Sequence, residues 1–227
     1  MSSSARLQLP RMVLFDWDNT LVDTWPVIAD CYAAVFTAFG QTPWSIEEVK
    51  ARAHGSLRDY FPVLFGERWR DAAEIFFATF HRIHLERLTP CPGAVELIGF
   101  LRQRQVPLGV VSNKVGANLR IEAAHLGWTE HFHRIVGATD APRDKPAPDP
   151  VHMALEDAGV AAGPDVWLVG DTRADLVCAH AAGCVPVLLR ELAPCSGEFD
   201  DCLPAVHSRN CHALRALLTN ETILYRS

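Results

Sequence analysis

The stretch Met12-Val-Leu-Phe-Asp16-Trp-Asp18-Asn-Thr20 decides the architecture of this chain. Four apolar residues run directly into two carboxylates spaced two apart. An apolar run this short reads as a strand buried on both faces, and its polar end marks where the strand leaves the core. Downstream of Gly93 the same pattern returns in regular alternation. Ala94 to Arg104 reads as a helix and Leu108 to Val111 as a strand. Asn118 to Leu126 is a helix stopped by Gly127, and Phe132 to Val136 a strand. Pro150 to Ala158 is a helix stopped by Gly159, and Val166 to Val169 a strand. Arg173 to Ala182 is a helix stopped by Gly183, and Val185 to Leu189 a strand. Ala205-Val206 reads as an edge strand and Cys211 to Leu218 as a last helix. Apolar strands alternating with helices predict an α/β protein with a doubly wound parallel sheet covered on both faces.

Between the first strand and this alternation lies a stretch of different character. Ile28, Cys31, Tyr32, Val35 and Phe39 share one helical face that ends at Gly40. Ser45 is placed to cap a second helix, and Trp69, Ala72, Phe76, Phe80 and Ile83 mark a longer one. More than half of the chain's aromatic residues fall here, enough for a core of its own. The expected organisation is therefore an α/β core of residues 1–23 and 89–227, with a small all-helical domain of residues 24–88 inserted after the first strand. Thr89-Pro-Cys-Pro-Gly93 is its return linker.

Composition excludes several classes. A chain of 227 residues, 49% hydrophobic, can bury a sizeable core. Its formal net charge is −6 with no long basic run, which argues against nucleic acid as a partner. No apolar run spans a bilayer and no secretory leader opens the sequence, so no membrane partner and a cytoplasmic location are expected. The seven cysteines form no C-x-x-C pair, so reduced thiols are the expectation. Cys195, Cys202, His207, Cys211 and His212 are close in sequence, but their spacing matches no standard zinc site. His81 and His84 read as surface groups.

In an open parallel sheet, ligands gather outside the carboxyl ends of the strands. The first strand ends in Asp16-Trp-Asp18-Asn-Thr20, and the second in Ser112-Asn113-Lys114. The third leads to Asp144-Lys145-Pro146, and the fourth ends in Gly170-Asp171-Thr-Arg-Ala-Asp175. Each group alone has an ordinary explanation: a turn, a helix cap, a capping box at Thr172 and Asp175, a solvated lysine. Their arrival at one sheet edge does not. Lys114 and Arg173 read as charges at the rim.

In this order the motifs resemble the haloacid dehalogenase-like hydrolase superfamily, over nearly the whole chain, and most closely its phosphoglycolate phosphatase-type members with a helical cap. The resemblance implies a Mg²⁺-dependent hydrolase of a small phosphorylated metabolite. It implies Asp16 as nucleophile, Asp18 as general acid and base, and Ser112 and Lys145 as holders of the transferring phosphoryl group. It further implies a metal held by Asp16, Asp18 and Asp171, with Thr20, Asn113 and Asp175 in support. His54 and Arg58, in a polar break between two helices of the insert, are candidates for reading the substrate. The insert is expected to act as a lid.

The chemistry stands beside the resemblance. A carboxylate that attacks phosphorus splits one hard step into two, and residues two apart in an extended segment return to one side. Acid–base help from Asp18 is worth about 10²–10⁴ in rate. Ionised Asp16, Asp171 and Asp175 outweigh Lys145, and a divalent cation balances them; hard oxygen ligands favour Mg²⁺. A phosphomutase with the same core is the alternative. Dehalogenation has no need of Asp18, and phosphonate cleavage, for which Lys50 is suggestively placed, fits poorly with an aspartate there. A binding protein that kept the fold is the non-enzymatic alternative.

Overall fold

The computed structural model describes residues 9–53 and 57–219. Its central strand is β1 (Met12–Phe15), buried at all four positions. Around it a six-stranded sheet forms from β4 (Leu108–Val115), β5 (Arg134–Ala138), β6 (Val166–Gly170), β7 (Val185–Leu189) and β8 (Val206–Ser208). The strand order is β5-β4-β1-β6-β7-β8, and every pairing is parallel. The chain winds from β1 outward through β4 to β5, then returns to β6 on the other flank. The reversal leaves a crevice at the carboxyl ends of β1, β4 and β6, the place where such sheets bind ligands. Helices α5 (Ala94–Gln103), α6 (Gly116–His125), α7 (Asp149–Leu155), α8 (Arg173–Ala181) and α9 (Cys211–Thr219) belong to this unit. Met12, Leu14, Val111, Val136, Val166 and Leu168 knit the sheet to α7 and α8 in one buried cluster.

The chain divides into two compact units, Met1–Val22 with Pro90–Ser227, and Asp23–Thr89. It passes between them through β2 (Val22–Asp23) and β3 (Thr89–Pro90), two short strands paired with each other. The second unit holds α1 (Trp25–Ala38), α2 (Ile46–Arg52), α3 (Leu57–Phe65) and α4 (Trp69–Ile83). Ser45 caps α2 as its sequence position predicts: its hydroxyl accepts from the Glu48 N–H while the Glu48 carboxylate accepts from the Ser45 N–H. The core of the unit is aromatic. The Tyr32 ring lies 5.5–6.2 Å from those of Phe36, Trp44, Phe61 and Phe76.

Several boundaries differ from the sequence reading. β4 does not stop at Val111 but continues to Val115, because a register shift against β5 lets the polar triplet Ser112-Asn113-Lys114 stay extended. β5 begins two residues late because the Phe132 N–H closes a turn onto Thr129 O, and the first bond to β4 is made only at His133, whose N–H donates to Leu108 O. α7 ends at Leu155, with Asp157 in the left-handed region (φ 61°). On α1 the fully buried face carries Val27 and Phe36, whereas Ile28 and Phe39 are only partly covered. His84 is not a surface group: it is buried and stacked on Phe80 at 4.7 Å. Among the described residues, no helix is long and apolar enough to cross a membrane.

Candidate active site

The loop after β1 is built by its own backbone. The N–H groups of Leu21 and Val22 both donate to the Trp17 carbonyl, and Asn19 takes φ 59° so that its N–H reaches Val22 O at 2.7 Å. Asparagine tolerates this left-handed position better than most residues. The turn leaves Asp16 and Asp18 directed into different surroundings. Thr20 is fully buried, yet among the described residues its hydroxyl has no hydrogen-bond partner. Thr20 contributes packing and a carbonyl that accepts from Cys211 Sγ at 3.6 Å.

Asp16 faces Lys145. The ammonium of Lys145 donates to Asp16 Oδ1 at 2.7 Å, Asp175 Oδ1 at 2.6 Å and Val111 O at 2.8 Å. An ammonium has three donors, so all three are committed, and a phosphoryl oxygen must displace one of these partners to touch it. Burial pulls the Lys145 ammonium down, but Asp16 and Asp175 outweigh that effect and hold it above its ordinary value. Asp175 is spent in the same way. Its second oxygen accepts from the Thr172 N–H and hydroxyl at 3.0 and 2.6 Å, so the bond back to Thr172 coexists with the site role. The carboxyl lies against the Cα of Gly170, where a Cβ would sit 2.2 Å from Asp175 Cγ; no side chain fits there.

Asn113 positions Lys145 from behind. Its side-chain amide imitates a strand neighbour, donating to Lys145 O at 2.9 Å and accepting from Lys145 N at 3.0 Å. Ser112 is buried and accepts from the Lys114 N–H at 3.2 Å. Its own proton has no acceptor among the described residues and remains available to a ligand.

Asp16, Asp171 and Asp175 form the one group among the described residues with metal-ligating atoms gathered within 4.8 Å. Burial pushes the Asp16 carboxyl up to about 6; Lys145 pulls it down, while Asp175 and Asp18 add to the rise. Asp171 is pushed well above the usual carboxylate range by burial, then by Asp16 and Asp175. Asp171 Oδ1 is buried with no hydrogen-bond partner among the described residues. An orphaned buried carboxylate oxygen beside a second carboxylate fits a hard divalent cation. Asp175, with both oxygens satisfied, fits the role of anchor instead. The Asp18 side chain stands outside this group.

Asp18 Oδ1 accepts from Lys114 Nζ at 2.7 Å. Lys114 is therefore no rim charge: its side chain is 7% exposed and also meets Glu122 at 2.9 Å. The reading from sequence passed over Glu122. Its signal was a carboxylate on the face of α6 that carries Leu119 and Ala123, where a charge is out of place without a partner. Arg173 does lie exposed, paired with Asp201. His54 and the side chain of Arg58 lie outside the described residues. The cysteine–histidine stretch is dispersed: Cys202 packs with Leu176, Leu188 and Phe199, Cys195 is exposed, and His207 Nε2 meets Arg190 O at 2.9 Å.

Comparison with known proteins agrees with this geometry. A family model described as haloacid dehalogenase-like hydrolase matches residues 13–188. The phosphoglycolate phosphatase of Neisseria gonorrhoeae is 28% identical over 193 residues, 81% of this chain and 81% of that protein. The phosphoglycolate phosphatase of Chromobacterium violaceum is 30% identical over 187 residues, 78% of this chain and 83% of its own. The crystal structure of a HAD-superfamily hydrolase from Ehrlichia chaffeensis shares 27% identity at a TM-score of 0.65, covering 95% of this chain and 98% of that one. The chain belongs to the haloacid dehalogenase-like hydrolase family.

Proposed function

We propose that this phosphatase hydrolyses a small phosphorylated metabolite through an aspartyl-phosphate on Asp16, with Mg²⁺ held by Asp16 and Asp171. The observation that carries the reading is the buried pairing of Asp16 with Lys145 at the mouth of β1, next to the orphaned oxygen of Asp171. Asp16 attacks phosphorus, and the bond from phosphorus to the ester oxygen breaks. Asp18 gives a proton to the departing alcohol. It then takes one from the water that attacks the aspartyl-phosphate, which frees Asp16 and inorganic phosphate. The Ser112 hydroxyl donates to a phosphoryl oxygen. Lys145 holds Asp16 in line and balances the charge that gathers there. Mg²⁺, when bound, supplies the positive charge that two carboxylates and an incoming phosphate dianion otherwise lack.

Relatives named phosphoglycolate phosphatase make 2-phosphoglycolate the first substrate to test. Seven free cysteines fit a reducing compartment, the cytoplasm. The test is phosphate release from a panel of phosphomonoesters, with Mg²⁺ or with EDTA, for the wild type and Asp16→Asn. Release that requires Mg²⁺ and disappears in the variant supports the reading. A folded wild-type protein that releases no phosphate but isomerises a sugar phosphate would be a mutase.

A further inference from the structure

We infer that Trp17, Glu122 and Lys114 form a chain of positioning residues that fixes the carboxylate of Asp18; the inference rests on the proton-transfer role given to Asp18 above. The chain is continuous. The Trp17 indole N–H donates to Glu122 Oε2 at 2.7 Å, the same oxygen accepts from Lys114 Nζ at 2.9 Å, and Lys114 Nζ donates to Asp18 Oδ1 at 2.7 Å. Its origin is rigid. Trp17 is completely buried, with its ring edge-on to Trp128 at 5.8 Å and to Phe132 at 6.5 Å. A ring wedged in this way cannot turn its N–H elsewhere without disturbing two others.

Stability does not account for the arrangement. Glu122 is 1% exposed, and a buried lysine–carboxylate pair is often no better than apolar residues of the same shape. A leucine at 122 with a methionine at 114 would fill the space with no desolvated charge. What the charged chain adds is direction. A lysine side chain has four rotatable bonds, and held by Asp18 alone it would wander with that carboxylate. Glu122 gives the ammonium a second, buried anchor, so Asp18 meets a donor fixed in space. One oxygen of Asp18, Oδ1, is thereby tied down, and the other has no hydrogen-bond partner among the described residues and is left for proton transfer. Trp17 lies in the loop itself, between Asp16 and Asp18, so the loop is fastened to α6 at the point where its two carboxylates diverge.

The test compares kcat/KM for an alkyl phosphomonoester, whose departing oxygen needs a proton, with kcat/KM for 4-nitrophenyl phosphate, whose departing oxygen does not. The variants are Trp17→Phe, Glu122→Gln, Lys114→Met and the double variant Lys114→Met/Glu122→Gln, with Asp18→Asn as the reference. The expected result is a loss of about 10²-fold with the alkyl ester in Lys114→Met and smaller losses in Glu122→Gln and Trp17→Phe, while the aryl ester is affected far less. Trp17→Phe removes the N–H together with the five-membered ring, whereas Glu122→Gln keeps the shape of its side chain and removes only its charge, so Glu122→Gln reads the chain even where Lys114→Met does not fold. The double variant removes the unpaired buried charge left by Lys114→Met. Its thermal stability should recover and its alkyl-ester defect should not. Equal losses on both esters, or activity that returns together with stability, would overturn the positioning role. If Asp18→Asn itself fails to separate the two esters, the proton-transfer reading is wrong and the inference falls with it. If Asp18→Asn separates them and none of the other variants does, the inference alone is wrong.

Discussion

Lys145→Met is the substitution with the largest calculable consequence. Methionine keeps most of the volume of the stem and removes only the ammonium. In the folded protein that group sits between Asp16 Oδ1, Asp175 Oδ1 and the Val111 carbonyl, at 2.6–2.8 Å, with 3% of the side chain exposed. Removing one partner from a buried ionic group costs about 3–5 kcal/mol, because the remaining charges stay buried without compensation. For a protein of this size, each kcal/mol lowers Tm by about 2–4 °C, so a fall of roughly 6–20 °C is expected at neutral pH in EDTA.

The pH dependence follows from which groups titrate. Lys145 is held above its ordinary value of 10.5, so its contribution is fully present below that pH and is lost only as pH rises through the folded value. Over the neutral range Lys145 stays charged, and the carboxylates titrate. Asp16 is raised from 3.8 to about 6. Between those values the folded form keeps a proton that the unfolded chain releases, so Asp16 makes wild-type stability fall as pH rises through that window. Without the lysine its carboxyl is raised further. The deficit of the variant therefore shrinks on acidification from pH 7.5 to 5.5, as Asp16 takes up its proton. Thermal melts at the two pH values, in EDTA, measure both effects. A drop below about 2 °C at pH 7.5, or one that does not change with pH, would refute the assignment of Lys145 as the charge that holds Asp16 and Asp175 together.

Three further outcomes are expected. Asn113→Ala removes two hydrogen bonds to the Lys145 backbone; it should cost about 1–2 kcal/mol in a denaturant melt and lower kcat more than it raises KM. Asp171→Asn removes a buried carboxylate that burial has driven well above its usual range; the metal-free variant should melt higher than wild type at pH 7.5, and Mg²⁺ should no longer raise its Tm. Phe61→Ala opens the aromatic core of the Asp23–Thr89 unit; it should cost about 3–5 kcal/mol, with amide-exchange protection lost in residues 23–89 before it is lost from the sheet.

How much of this was readable in the sequence depends on how local the physics is. β1, β6 and β7 stand out because a strand in the middle of a parallel sheet must be apolar on both faces, and Met12–Phe15 and Val166–Val169 are. The capping of α2 was readable from Ser45 because a cap is settled within four residues. The limits of β4, β5 and α7 were not. Each depends on a neighbour: the register shift of β4 against β5, the turn closed at Phe132, the left-handed Asp157. The gathering of Asp16, Lys145 and Asp175 was nameable from strand ends because the sheet carries distant residues to one edge. Its internal wiring was not nameable, since which oxygen meets which proton is settled by packing. Trp17 is the clearest instance: nothing in its position beside Asp16 told which way the ring points, and its N–H leads to a glutamate on α6.

That wiring has a regularity with consequences for charge. Each carboxylate of the loop has its own lysine, and each lysine has a second, buried carboxylate behind it: Asp16–Lys145–Asp175 and Asp18–Lys114–Glu122. Each rear carboxylate is steadied in turn by neutral donors, the Thr172 N–H and hydroxyl in one case and the Trp17 indole in the other. With their carboxylates ionised, the two triads carry the same net charge. Asp171 breaks the symmetry. It lies in the Asp16 group and has no ion pair among the described residues. The excess negative charge therefore sits on one side of the loop, around the carboxylate proposed to attack, and not around the one proposed to move protons. A divalent cation is attracted to the Asp16 side, while the Asp18 side is closed by its own lysine. Lys114→Met should then leave the Mg²⁺ midpoint in a thermal-shift titration almost unmoved, whereas Lys145→Met should tighten it by withdrawing a competing cation. A Mg²⁺ midpoint that follows Lys114 instead would place the metal on the wrong carboxylate.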